Sequence, residues 1–152
     1  MKRKTILYSF ITVIIILGAL CFVAFREYNR KHVDVADKPA AYTISGAEII
    51  KAFSADEKAA NSKYLDKVIA INGTVKSVDK DEQSSITVIL SDAGSMSSVR
   101  CSVDSIHNEQ ADNLVSGSQV TVKGVCTGFN ADELLGSDVI LNRCSIKKIN
   151  NN

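Results

Sequence analysis

The longest hydrophobic run of the chain lies near its start. Residues 5–25 carry no charge, whereas residues 1–4 and 26–31 on either side are rich in lysine and arginine. A helix of about 20 apolar residues spans the roughly 30 Å hydrocarbon core of a bilayer. Residues 11–17 are apolar all round, unlike the single apolar stripe of a soluble helix. The pattern predicts one transmembrane anchor over residues 5–25, preceded by a basic tail of residues 1–4.

Two alternatives for this segment stay open. A cleaved secretory signal has a shorter apolar region of about 7–15 residues and a cleavage site of small residues, which residues 23–25 match poorly. A lipid anchor could use Cys21, but Leu20 stands where a lipobox has a small residue. Positive residues favour the cytoplasmic side, and the short N-terminus favours an N-inside orientation. In a bacterium this places a single-pass protein in the inner membrane, with its C-terminal domain in the periplasm or outside.

The rest of the chain is sufficient for one small domain. We expect a juxtamembrane linker over residues 26–42 and a domain over residues 43–149. From Asp34 onward the chain has 12 Lys and Arg against 16 Asp and Glu, a net charge of −4. Phosphate contacts dominate nucleic-acid affinity, and an acidic domain matches them poorly. Nucleic acid is therefore not expected as a partner.

The polar and apolar pattern of the domain predicts helices and short strands. Ser45 and Glu48 form a capping box that starts a helix over about residues 45–63, with a break near residues 54–55. Beyond Lys67 the apolar residues are β-branched or alternate with polar ones, as in strands. A glycine inside the first strand, Gly73, indicates a bulge or bend. The expected strands are residues 68–78, 85–90, 98–103, 119–126 and 138–146, with a short helix over residues 104–115.

This order predicts an OB-fold. Three strands, a helix and two strands are the sequence of elements in that five-stranded, partly open Greek-key barrel. A ferredoxin-like sheet needs a helix between its first two strands, and a sandwich needs more strands. Alternation places Val99, Cys101 and Val103 on one face of the third strand. The fold class is therefore mainly β, with a leading helix and a helix between strands three and four, after one transmembrane helix.

Several motifs carry a family resemblance. They are residues 59–61, 72–75, 99–101, 122–128 and 139–144, which read AAN, NGTV, VRC, VKGVCTG and VILNRC. With them, residues 44–148 resemble the tRNA_anti-like group of OB-fold domains, found in bacterial exported or membrane-anchored proteins. The resemblance implies the fold and no assigned reaction.

The candidate binding surface is the outer face of the second and third strands. Its residues are Thr87, Ile89, Ser98 and Arg100, flanked by loops at residues 79–84 and 127–136. Single-strand binders stack bases on aromatic side chains above a basic groove, but these two strands contain no aromatic residue and only one basic residue. The first hypothesis is a non-enzymatic envelope module that binds a protein, peptide or glycan. The alternative is binding of single-stranded or tRNA-like nucleic acid.

Other chemistry has little support in the sequence. Cys101, Cys126 and Cys144 lie on the third, fourth and fifth strands, and an exported protein can form disulfides. Cys101–Cys144 is the favoured pair, although three buried thiols remain equally compatible with the pattern. His107 is expected to form a surface pair with Glu109. No spacing matches a zinc site or a catalytic motif, so we expect no metal, no cofactor and no catalytic residue.

Overall fold

The structure is a computed structural model that describes residues 34–82, 84–92, 94–132 and 136–149, together with Gly18, Ala19, Cys21, Phe22 and Phe25. Contacts set Asp34–Asn152 apart as a unit of its own. Within the described residues no helix is long and apolar enough to cross a membrane. Most of the anchor predicted over residues 5–25 lies outside the described residues.

Five strands close into a barrel, and a sixth extends the sheet at one edge. The strand order is β1-β2-β3-β4-β6-β5, and β2 also pairs with β5. β6 lies parallel to β4 and antiparallel to β5, which is the OB-fold arrangement. The mainly β, five-stranded barrel predicted from the sequence is thus confirmed. The strands are β1 Tyr42–Ser45, β2 Val68–Lys80, β3 Ile86–Leu90, β4 Ser98–Val103, β5 Gln119–Asn130 and β6 Asp138–Lys148.

The long strand β2 closes the barrel by changing its partner. Its first half pairs with β5 over residues 68–74, and its second half pairs with β3 from Val75 onward. The register with β3 shifts between Val75 and Ser77, so Lys76 lies in a bulge. The bulge indicated by Gly73 is therefore found three residues later, and Gly73 itself lies against Leu90. Bulges bend a strand and increase its twist, as a closed small barrel requires.

Two short helices form the predicted leading helix. Helix α1 is Gly46–Ala55 and helix α2 is Glu57–Tyr64, with Asp56 as the N-cap between them. The capping box of Ser45 and Glu48 is confirmed. The apolar faces of both helices pack on the core through Ile49, Phe53, Ala60 and Tyr64. Phe53 stacks on Phe129 of β5, with ring centroids 5.0 Å apart.

The end of the predicted linker is bound to the domain. Val35 is 2% exposed, and the Lys123 ammonium donates to the carbonyls of Ala36 and Lys38 at 2.9 and 3.0 Å. Strand β1 begins at Tyr42 and pairs in parallel with β2. The sequence suggests no strand there, because four residues are too few to show a period.

The helix expected over residues 104–115 is shorter than predicted. A 3₁₀ turn, Ser105–His107, leads into helix α3, Asn108–Asp112. Ala111 and Leu114 are buried, but Ile106 and Val115 are 66% and 65% exposed. Half of its predicted apolar face therefore points to solvent, because so short a helix presents only about one turn to the core.

Candidate binding groove on the barrel face

Strand alternation places the predicted surface residues on the outside of the barrel. β3 buries Ile86, Val88 and Leu90, so Thr87 and Ile89 project outward. β4 buries Val99, Cys101 and Val103, as predicted, and Arg100 projects to the exposed side. Ile89 lies opposite Arg100 in the antiparallel pair, so their side chains are direct neighbours.

Three of the four predicted residues border one depression, which we name the barrel-face groove. Its volume is about 300 Å³. Ile89, Ser98 and Arg100 line it, whereas Thr87 lies two residues along β3, outside the lining. The predicted loop at residues 127–136 contributes to the groove, and the loop at residues 79–84 does not. The lining residues are Lys76, Ser77, Ile89, Met96, Ser98, Arg100, Asn130, Asp132, Gly136 and Asp138.

A carboxylate at the start of β6 organises the polar side of the groove. Asp138 pairs with Ser98 in the parallel β4–β6 ladder. The Ser98 hydroxyl donates to Asp138 Oδ1 at 2.5 Å, and Arg100 Nη1 lies 3.5 Å from Asp138 Oδ2. Ser98 is only 5% exposed, whereas the Arg100 side chain is 47% exposed and that of Asp138 23%. A buried hydroxyl therefore orients a carboxylate that stays accessible beside an accessible guanidinium.

Backbone contacts fix the wall behind this pair. Ser98 N donates to Ser137 O at 3.1 Å, and Ser137 N donates to Ser97 Oγ at 3.0 Å. Gly136 has φ +91°, and a Cβ there would lie 2.5 Å from the backbone of Met96. Only glycine combines that backbone conformation with so close an approach. The loop between β5 and β6 is thus held against the loop before β4, which aligns Asp138 with Ser98.

Several groove residues were missed by sequence reasoning. Lys76 reaches the groove from the bulge in β2, and Met96 contributes an apolar side chain that is 62% exposed. The sequence pattern identifies Asp138 only as the start of a strand. It lies 40 residues from Ser98, so only the strand order, with β6 beside β4, could have brought the two together.

The cysteines predicted on the barrel strands lie inside the wall. Cys101, Cys126 and Cys144 are all fully buried and present as free thiols. The Cys101 thiol hydrogen-bonds with Cys144, and this bond together with burial raises the pKa of Cys101 well above its ordinary range. Burial also raises the pKa of Cys126. The Cys101–Cys144 pairing stays a prediction.

His107 has a different partner from the one expected. Its Nε2 lies 2.8 Å from Asp34 Oδ1, and its Nδ1 is 3.1 Å from the Gln110 amide. Hydrogen bonds from His107 and then from the Ala36 amide lower the pKa of Asp34. The predicted pair with Glu109 is therefore wrong, since Asp34 is 73 residues distant and reaches His107 only through the fold. In the described part of the chain, no three His, Cys, Asp or Glu side chains cluster as metal ligands would.

Comparison with known proteins agrees with the barrel. A family model described as tRNA_anti-like matches residues 1–146. A Klebsiella pneumoniae protein described as a nucleic acid-binding lipoprotein has a similar structure, with a TM-score of 0.56 and 17% identity; the match covers 73% of this chain and 100% of that one. No curated protein matches the chain.

Two further structures match at lower similarity. Entamoeba histolytica asparaginyl-tRNA synthetase gives a TM-score of 0.43 and 14% identity over 57% of this chain and 21% of the synthetase. The S. pombe Stn1-Ten1 complex gives a TM-score of 0.39 and 19% identity over 55% of this chain and 59% of that one.

The comparison corrects one prediction. Nucleic acid was not expected as a partner, yet the Klebsiella protein is described as nucleic acid-binding. The exclusion is therefore wrong. Its physical weakness is that it used the net charge of the whole domain and the aromatic content of two strands. The groove itself brings in Lys76 from β2 and the apolar Met96 from a loop, and neither criterion takes account of where these side chains lie.

Proposed function

Because the chain belongs to the tRNA_anti-like family of OB-fold binding domains, we propose that it is a non-enzymatic protein that binds a single-stranded oligonucleotide in the barrel-face groove. One observation carries the proposal. Ile89 and Arg100 project outward into an open groove, which the buried Ser98 also lines and the β5–β6 loop borders. This is the face and loop with which OB-folds bind oligonucleotides and oligosaccharides.

The side chains of the groove suit an unstacked strand. Ile89 and Met96 provide apolar contact for a base, while Lys76 and Arg100 supply cations for phosphate or base oxygens. Among the described residues that line the groove there is no aromatic side chain, and base stacking on aromatics contributes about 1–3 kcal/mol per base elsewhere. We therefore expect modest affinity, with a Kd on the order of micromolar.

The proposal includes a location. The apolar run at residues 5–25 supports a single-pass inner-membrane anchor with the barrel in the periplasm or outside, and the Klebsiella neighbour is described as a lipoprotein. Fusing alkaline phosphatase or green fluorescent protein to the C-terminus tests this location. We expect the phosphatase fusion to be active and the fluorescent-protein fusion to be non-fluorescent. An inactive phosphatase and a fluorescent second fusion would place the barrel in the cytoplasm.

An envelope glycan is the second candidate. Lys76 and Arg100 line the groove together with Asp132 and Asp138. The positive and negative charges of the described lining residues are therefore equal in number. Such a groove does not by itself favour a polyanion over a neutral sugar chain, and OB-folds bind oligosaccharides at the same face.

Fluorescence anisotropy tests the oligonucleotide proposal. The full-length chain in detergent is titrated against a labelled single strand of about 12 nucleotides at low salt. Saturable binding is expected, and Arg100→Ala should weaken it roughly tenfold, since hydrogen bonds to charged groups contribute about 1.5–3 kcal/mol. Lys58→Ala, an exposed lysine on α2 outside the groove, is the matched control and should bind like wild type. Binding of a glycan but of no oligonucleotide would transfer the proposal to the second candidate.

A further inference from the structure

The groove presents a hydrogen-bond acceptor directly beside a cluster of donors. Asp138 Oδ1 is occupied by the Ser98 hydroxyl, while Oδ2 faces Arg100 Nη1 at 3.5 Å. That separation is longer than a hydrogen bond, so a ligand can bind both groups without first breaking a close ion pair. A carboxylate only accepts, and a guanidinium offers five N–H donors in a planar fork.

The fold fixes the Asp138 carboxylate and the backbone position of Arg100. Asp138 is held by its ladder pairing with Ser98 and by the backbone bonds between Ser97, Ser98 and Ser137. Arg100 is two residues along β4, in a regular part of the ladder. An acceptor held in place beside a donor is suited to reading a base edge.

The bases differ in how well they match this pair. Along its edge guanine presents N7 and O6 as adjacent acceptors, followed by N1–H and N2–H as adjacent donors. A guanidinium can bind N7 and O6 together while a carboxylate oxygen accepts from N1–H. Cytosine offers two acceptors and one amino donor, whereas thymine and adenine satisfy only one bond to each group. The guanine N2–H, beside N1–H, can donate to the same carboxylate, so guanine satisfies up to four bonds. Cytosine satisfies three, and adenine and thymine satisfy two, which ranks guanine first and cytosine next.

We propose that Arg100 and Asp138 form a base-reading site that prefers guanine. This inference rests on the proposed oligonucleotide function and names its specificity. Asp138 accepts from the guanine N–H edge through Oδ2, and Arg100 donates to the guanine acceptors. Ser98 is a positioning residue, because it holds Oδ1 and leaves Oδ2 to the ligand.

The charge of the groove favours the same orientation of the strand. Asp132 and Asp138 lie within it, and carboxylates repel phosphates but can accept from bases. The strand therefore binds with its bases inward, and Lys76, which enters the groove from β2, is left to meet a phosphate.

The test uses thymidine strands of one length that differ at one central base. The full-length chain in detergent is titrated by anisotropy with strands carrying guanine, inosine, cytosine, adenine or thymine at that position. Guanine is expected to bind at least roughly fivefold tighter than thymine, since one bidentate base contact discriminates by about that factor or more. Inosine lacks the N2 amino group but keeps N7, O6 and N1–H, so it should retain most of the preference.

Variants separate this inference from the proposed function. Asp138→Asn should lose the guanine preference and bind the guanine and thymine strands with nearly equal affinity, because its amide replaces an acceptor oxygen with a donor. Asp37→Asn, an exposed position outside the groove, should keep the preference.

Equal binding of all five strands by wild type, or cytosine binding tightest, would overturn the guanine site and leave the proposed function standing. Failure of every strand to bind would overturn both. The comparison among strands uses wild-type protein alone, so the test does not depend on the folding of any variant.

Discussion

Gly124 offers the sharpest test of how the barrel wall is packed. A Cβ at this position of β5 would lie 2.5 Å from Cys144 Sγ and 3.3 Å from both Asn142 O and Leu141 Cβ. Optimal contacts between heavy atoms are about 3.5–4.0 Å, so the sulfur would have to move by roughly 1 Å. Cys144 is fully buried and cannot move into solvent. Gly124→Ala is therefore an overpacking substitution.

The expected magnitude follows from two opposing effects. Overpacking a well-packed core costs about 1–3 kcal/mol. Alanine recovers about 0.5–1 kcal/mol of the conformational entropy that glycine loses in a strand. The net loss of unfolding free energy is roughly 1–2 kcal/mol, or about 4–10 °C in Tm for a domain of this size.

Gly128 on the same strand is the matched control, because nothing lies within 4 Å of a Cβ there. Thermal and urea denaturation followed by circular dichroism should show Gly128→Ala as stable as wild type or slightly more stable. Adding Cys144→Ala to Gly124→Ala removes the sulfur and should make the double variant more stable than the sum of the single effects predicts. If Gly124→Ala and Gly128→Ala have the same Tm, the close packing of β5 on β6 described above is incorrect.

Three further predictions concern other parts of the domain. Asp34→Asn should lower stability near neutral pH, because the folded pKa of Asp34 is depressed below 3.8. The contribution of Asp34 to stability is present above that value and lost as pH falls through the folded pKa. Urea melts of the two proteins should therefore converge in acid, and a pH-independent difference would contradict this. Ser45→Ala removes a capping box and should cost about 1 kcal/mol in a urea melt, whereas Ser54→Ala at an exposed position of the same helix should not. Cys101 and Cys144 should form a disulfide when the protein is exported. Mass spectrometry detects this bond as the loss of two hydrogen atoms. Alkylation of every cysteine in the denatured, unreduced chain would exclude the disulfide.

Local patterns in the sequence predicted the barrel well. The period of two in β4 placed Val99, Cys101 and Val103 in the core, because strand side chains alternate between faces. The capping box predicted the start of α1, because Ser45 and Glu48 are three residues apart and make their bonds locally. The strand order then followed from the number and sequence of the elements.

Features that depend on distant residues could not be predicted in the same way. The Asp34–His107 contact and the Ser98–Asp138 bond join residues 73 and 40 positions apart. Strand β1 forms by pairing with residues of β2 that lie 27 positions later in the chain. Three of the four candidate site residues meet in the groove, since alternation places them outward. The acidic partner of the site, Asp138, was missed, because the strand order does not give the register that sets Asp138 opposite Ser98.

The central claim is that a single-stranded oligonucleotide binds in the barrel-face groove, and photo-cross-linking tests it most directly. A single strand carrying photoreactive thymidine analogues is mixed with the full-length chain in detergent at low salt and irradiated, and the linked peptides are sequenced by mass spectrometry. We predict that cross-links fall on residues 86–100 and 130–138 and are lost with an excess of unlabelled strand. Cross-links confined to α1 and α2, or none under these conditions, would contradict the account.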